Sequence, residues 1–175
     1  MILPIYTYGQ PVLKKKCIEI NADYPGLTEL ISNMWETMYN AEGVGLAAPQ
    51  IGLPVRLFMV DSTQGIKEVM INAEMISETG EEFSYEEGCL SIPSIRGNVI
   101  RLADIEIKYF NEKFEEKQLK LSGLNARVVQ HEYDHIEGIL FTELLKPVKR
   151  TLIRKKLDNY KKGKIKADYP LKRIG

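Results

Sequence analysis

His131 and His135 are the only two histidines in the chain, and they stand four residues apart in the run His131, Glu132, Tyr133, Asp134, His135. On a helix, side chains at i and i+4 share one face, so this spacing turns both imidazoles toward a point where they can bind a metal ion. Glu132 then lies beside that ion, placed to carry a proton to and from a water. Metal-assisted hydrolysis is the chemistry the pattern predicts.

Two histidines do not complete such a site, because catalytic zinc-type centres take three protein ligands and keep one position for water. One known arrangement adds a third histidine six residues after the second with a glycine halfway; Gly138 is in place, but position 141 is Phe. Another takes a glutamate from a following helix, yet after Glu143 the chain holds only Asp158 and Asp168 as acids. The third ligand is therefore expected upstream. Cys89, within Glu87, Gly88, Cys89, Leu90, Ser91, is the strongest candidate. A thiolate is a soft, strong ligand, Gly88 permits close approach, and Pro93 places the segment in a bend. Cys17 follows three lysines with no second motif near it and is read as structural.

A third segment, Gly43, Val44, Gly45, Leu46, Ala47, Ala48, Pro49, Gln50, Ile51, Gly52, carries small residues that let another backbone approach. It lacks the Lys and Ser or Thr of a phosphate loop. Gln50 gives it chemical interest, since its amide can donate to a developing oxyanion if the fold brings it to the metal.

The elements that must position these groups follow from periodicity. Leu27, Leu30, Ile31, Met34, Trp35 and Met38 recur at helical spacing after Pro25 and Gly26, predicting an amphipathic helix that ends before Gly43, with Trp35 and the methionines in the core. From Val55 to about Lys120 the pattern shortens to alternation, as in Ile105, Glu106, Ile107, Lys108, Tyr109, with Gly65, Gly80 and Asn111 as punctuation. Short antiparallel strands are expected there. A helical period returns at Leu124, Val128, His131, His135 and Ile139, with Ser122 as N-cap and Gly138 near the C-terminal end, so the histidine helix should bury an apolar face. A last helix is predicted across Val148, Leu152, Ile153 and Leu157, basic on its other side, with a polar end from Lys161.

With 175 residues, 44% of them apolar, the chain suits one α+β domain, residues 1–145 carrying the catalytic part and 146–175 a basic helix and tail of the same domain. The run Met1, Ile2, Leu3, Pro4, Ile5 lacks the basic start of a signal peptide, and no stretch is apolar for long enough to span a membrane, so a soluble cytoplasmic protein with free thiols is expected. Net charge is zero but unevenly placed: 12 Lys/Arg against 22 Asp/Glu up to residue 145, then 12 against 2. The tail reads either as a solvated helix face with a loose end or as a handle for a polyanion such as RNA.

Taken together and in order, GVGLAAPQ at 43–50, EGCLS at 87–91 and HEYDH at 131–135 resemble the peptide deformylases. The resemblance implies a fold that sets the histidine helix among antiparallel strands, and removal of the N-formyl group from the initiator methionine of nascent polypeptides. It implies that Cys89, His131 and His135 hold the metal, that Glu132 is the general acid/base, and that Gln50 and the Leu90 N–H steady the oxyanion. It also implies Fe2+ as the cellular ion, with Zn2+, Ni2+ or Co2+ accepted, and ribosome docking by a C-terminal helix. By family position and helix phase, the substrate would meet Val44, Gly45, Tyr85, Gly88, Leu124 and Val128. Arg96 would either touch the peptide backbone or pair with surface acids. Two rivals remain on the residues alone. A metallopeptidase is disfavoured by a cysteine ligand, and a structural Cys/His site with an RNA-binding tail is disfavoured by the want of a fourth ligand other than Cys17.

Overall fold

In the computed structural model, which describes residues 1–63 and 65–175, the described chain runs β1 (Ile5–Tyr6), α1 (Leu27–Asn40), β2 (Gly45–Ala47), β3 (Leu57–Asp61), β4 (Lys67–Cys89), β5 (Ile92–Phe110), β6 (Glu116–Ser122), α2 (Gly123–Ile136), α3 (Pro147–Lys161) and β7 (Leu171–Lys172). The antiparallel sheet has the order β2-β3-β4-β5-β6, and β1 pairs with β7 in parallel. The class is α+β.

The unbroken apolar run in β3 is explained by burial on both faces, where a half-exposed strand would alternate. Leu57 and Met59 pack with Ile31, Met34 and Met38 of α1, while Phe58 and Val60 pack with Ala126, Val129 and Ile136 of α2. Each such side chain, fully buried, stabilises the fold by about 1.5–3 kcal/mol. The alternation in β5 does what its period predicts: Ile105, Ile107 and Tyr109 face inward toward α2.

Several expectations are corrected. The strands between 55 and 120 are not all short, since β4 has 23 residues and β5 has 19. Gly80 does not end a strand; it sits at φ +83 inside β4, next to a register shift between Thr79 and Glu82, and a β-carbon there would lie 2.5 Å from Asp104 Oδ2. It makes a bulge in place of a turn, bending the long hairpin without interrupting it. Ser122 occupies the N-cap position of α2 but makes no side-chain cap, because its backbone is still in the ladder opposite Asp104. The helix stops at Ile136, so Ile139 lies beyond it. Gly138 closes the helix at φ +76 against Lys14 O, 2.6 Å from where a β-carbon would stand, so glycine is needed on two counts. In α3, Ile153 and Tyr160 are buried, yet Val148 and Leu152 are 74% and 73% exposed. The end of the chain is not loose: Ile165 is buried and β7 returns to β1.

Candidate metal centre

α2 delivers His131 and His135 from one face, and the end of β4 delivers Cys89 opposite them. Their ligand atoms lie within 4.8 Å of one another, with Cys89 Sγ 3.4 Å from His135 Nε2. The imidazoles stand edge to face, centroids 5.1 Å apart. Cys89 reaches this position through an irregular hairpin. Gly88 pairs with Arg96 but Cys89 pairs with Ile92, so residues 93–95 are looped out of register and Leu90 and Ser91 form a two-residue turn. The bend expected at Pro93 is therefore a bulge on the far strand.

His131 is oriented by Glu87, whose Oε1 accepts from Nδ1 at 2.9 Å, leaving Nε2 for a ligand. Glu87 is itself held by Arg101 (Nε to Oε2, 2.7 Å; Nη2 to Oε1, 3.0 Å) and by Arg127 Nη1 at 2.8 Å. Arg101 continues to Asp134 at 2.8 Å, tying the outer side of the histidine motif to β5. Burial alone would raise the Glu87 carboxyl; hydrogen bonds from His131 and Arg101 overcome it and hold the group well below the usual carboxylate range. Burial alone would lower His131, but its hydrogen bonds to Cys89 and Glu87 carry it well above the ordinary imidazole value. His135 has no carboxylate on its ring, and burial, helped by the charge of His131 beside it, pushes it well below.

Glu132 is buried, its carboxyl raised to about 7 chiefly by burial, and its Oε2 has no hydrogen-bond partner among the described residues. His135 Nδ1 is likewise without one. A soft thiolate, two neutral-capable imidazoles and an unpartnered buried carboxyl suit a divalent cation such as iron, zinc, nickel or cobalt. Gln50 is buried beside the cysteine: its Oε1 accepts from Ala47 N at 3.0 Å, which turns Nε2 toward Cys89 Sγ (3.5 Å) and Ser91 Oγ (3.2 Å).

Gln50, Cys89, His131 and Glu132 face an open cavity of about 770 Å³. Val44, Gly45, Tyr85, Gly88, Leu90, Arg96, Leu124 and Val128 all line it together with Gln50, Cys89, His131 and Glu132. Leu124 and Val128 thus serve as cavity wall, Val128 also resting against the core that Ala126, Val129 and Ile136 of α2 form. Arg96 pairs with Glu86 at 2.9 Å on the exposed rim. Cys17 is remote in role, a buried thiol pushed by burial to about 11. Sequence reasoning gave no task to Glu87, Arg101, Arg127 or Tyr169. Arg127, one turn before His131 on α2, and Glu87, two residues before Cys89, stood near the motifs, but neither position marked them as buried partners.

The arrangement can be set beside known proteins. The family model described as "Polypeptide deformylase" matches residues 2–151, ending within α3. Proteins named peptide deformylase from Christiangramia forsetii and Flavobacterium psychrophilum are 54% and 52% identical to this chain, covering 98% and 99% of it and 96% and 98% of their own lengths. The crystal structure of peptide deformylase from Thermus thermophilus superposes with TM-score 0.86 at 38% identity, over 93% of this chain and 99% of that one. That from Legionella pneumophila gives 0.84 at 37%, over 93% and 96%. A cysteine and two histidines converging on a buried glutamate, on a fold shared along nearly the whole chain with these proteins, place this chain in the polypeptide deformylase family.

Proposed function

We propose that this chain hydrolyses the N-formyl group of the initiator formyl-methionine on nascent polypeptides, releasing formate and a free amino terminus. The observation that carries this reading is Glu132, buried with an Oε2 that has no partner among the described residues, next to the convergent Cys89, His131 and His135, with Glu132, Cys89 and His131 facing the cavity. Cys89 Sγ and the two imidazoles are the ligands proposed for one divalent ion, which when bound would supply Lewis acidity toward water and the formyl oxygen.

The chain's own residues do the rest. Glu132 accepts a proton from the attacking water, whose oxygen bonds to the formyl carbon. A carboxyl raised toward neutrality by burial can also return that proton, and Glu132 gives it to the leaving amine as the C–N bond breaks. Gln50 Nε2, fixed by the bond from Ala47 N to its carbonyl, donates to the oxyanion together with the Leu90 N–H. Val44 and the Gly88 strand end pair with the extended peptide, Gly45 leaves room for its backbone, and Tyr85, Leu124 and Val128 wall the methionine side chain. Arg96 serves the rim, held by Glu86.

We further assign Fe2+ as the cellular ion and the cytoplasm as the compartment, where formylated chains are made. No helix among the described residues is long and apolar enough to cross a membrane. The exposed basic side of α3 is the surface proposed to meet the ribosome, its lysines and arginines suited to phosphate. The test is incubation of anaerobically purified protein with formyl-Met-Ala. Formate release with the Met–Ala bond intact supports the reading, and cleavage of Met–Ala would replace it with a peptidase.

A further inference from the structure

Three side chains from the C-terminal segment donate hydrogen bonds into one short stretch of backbone beside the metal centre. Lys156 Nζ reaches Ser94 O at 3.0 Å, Tyr160 OH reaches Pro93 O at 2.5 Å, and Tyr169 OH reaches Leu90 O at 2.7 Å. All three donors lie beyond residue 151, where the match to the family model ends. Their target is the turn and bulge that carry the chain from Cys89 into β5, where Ser94 is held at φ +64, a conformation a serine adopts only when its surroundings enforce it.

Tyr169 is delivered firmly. Ile165 before it is buried, and β7 just after it pairs with β1, with Ile5 N donating to Pro170 O and Thr7 N to Lys172 O. The next turn residue is fixed as well, by Tyr8 N donating to Ser91 O at 2.9 Å and by Gln50 Nε2 at Ser91 Oγ. Leu90 therefore has its carbonyl gripped by Tyr169 while Ser91 beside it is gripped from the other side.

We propose that Tyr169 is a positioning residue for the reaction: its hydroxyl anchors the Leu90–Ser91 peptide, and with Cys89 held in the ladder opposite Ile92 this leaves the Leu90 backbone between two fixed points, so that the Leu90 N–H stays aimed at the oxyanion. This rests on the proposed deformylase reading, with Leu90 as donor. A pre-aimed donor costs no reorganisation when charge develops, whereas a turn free to rock presents its N–H for only part of the time. Tyr169 thereby becomes part of the active-site support, whereas Tyr160, whose hydroxyl holds Pro93 O, does not line the cavity.

The test is Tyr169→Phe, which keeps the ring and removes the hydroxyl, beside Tyr160→Phe, which removes an equivalent hydroxyl aimed at Pro93. With formyl-Met-Ala and matched metal content, Tyr169→Phe should lower kcat about tenfold at unchanged KM, a fraction of the roughly 10²–10³ that loss of a whole oxyanion donor costs. Tyr160→Phe should keep kcat. In the metal-free protein the Ser91 amide nitrogen, bonded to the Leu90 carbonyl carbon, should shift in the NMR spectrum of Tyr169→Phe and hold its position in Tyr160→Phe. Wild-type kcat in Tyr169→Phe, or equal losses in both variants, would overturn the proposal. If the wild type releases no formate, the deformylase reading fails instead, and the NMR shift still decides whether Tyr169 holds Leu90.

Discussion

Gly45 abuts the Glu132 carboxyl so closely that a β-carbon at position 45 would stand 2.5 Å from Glu132 Oε1 and 2.7 Å from its Cδ. A methyl group cannot share that space, so a side chain at position 45 would force the Glu132 carboxyl to move. The glycine in the 43–50 segment is therefore needed for the general base as well as for the substrate backbone.

Gly45→Ala should displace the Glu132 carboxyl by a large part of an ångström while leaving Cys89, His131 and His135 in place. A shift of that size costs on the order of 10²-fold in kcat. Steady-state kinetics at full metal occupancy check it, and near-wild-type turnover would refute it.

Glu87→Gln leaves Arg101 and Arg127 buried beside a neutral group and loosens the orientation of His131. Loss of such a partner behind a ligating histidine weakens metal binding about 10–100-fold. Competition against a chelator of known affinity measures the change, and an unaltered dissociation constant would show that the Glu87–His131 bond does not tune the ligand.

The two cysteines should differ sharply toward alkylating agents. Burial holds Cys17 as a thiol to about pH 11, so around pH 8 its thiolate population is small as well as enclosed, whereas Cys89 is partly exposed at the cavity floor. Metal-free native protein treated with iodoacetamide should gain one adduct, mapped to Cys89. An adduct on Cys17 would contradict the packing around it.

Val128→Phe narrows the cavity wall on α2 at a side chain that is only partly buried against the core. KM for formyl-Met substrates should rise with kcat little changed, because uniform substrate binding is what the wall provides. Unchanged KM would remove Val128 from the methionine pocket.

What was legible in the sequence depended on local spacing. The paired imidazoles follow from a four-residue interval on a helix, and the inward face of β5 from strict alternation at Ile105, Ile107 and Tyr109. Glu87, Arg101 and Arg127 could not be read in the same way. They come from three different elements, Arg101 standing 14 positions and Arg127 40 positions after Glu87, and nothing local marks a charged residue as buried. The basic helix was half legible: Ile153 and Leu157 of the expected stripe pack inward with Tyr160, whereas Val148 and Leu152 fit the period yet face outward. Tyr169 and Leu90 are 79 residues apart and meet only because β7 returns to β1.

X-ray absorption at the edge of the bound metal tests the centre most directly. One sulfur neighbour at about 2.3 Å with nitrogen neighbours at about 2.0–2.1 Å, the distances of zinc-type sites, is the predicted result for Cys89, His131 and His135. A first shell without sulfur would contradict it.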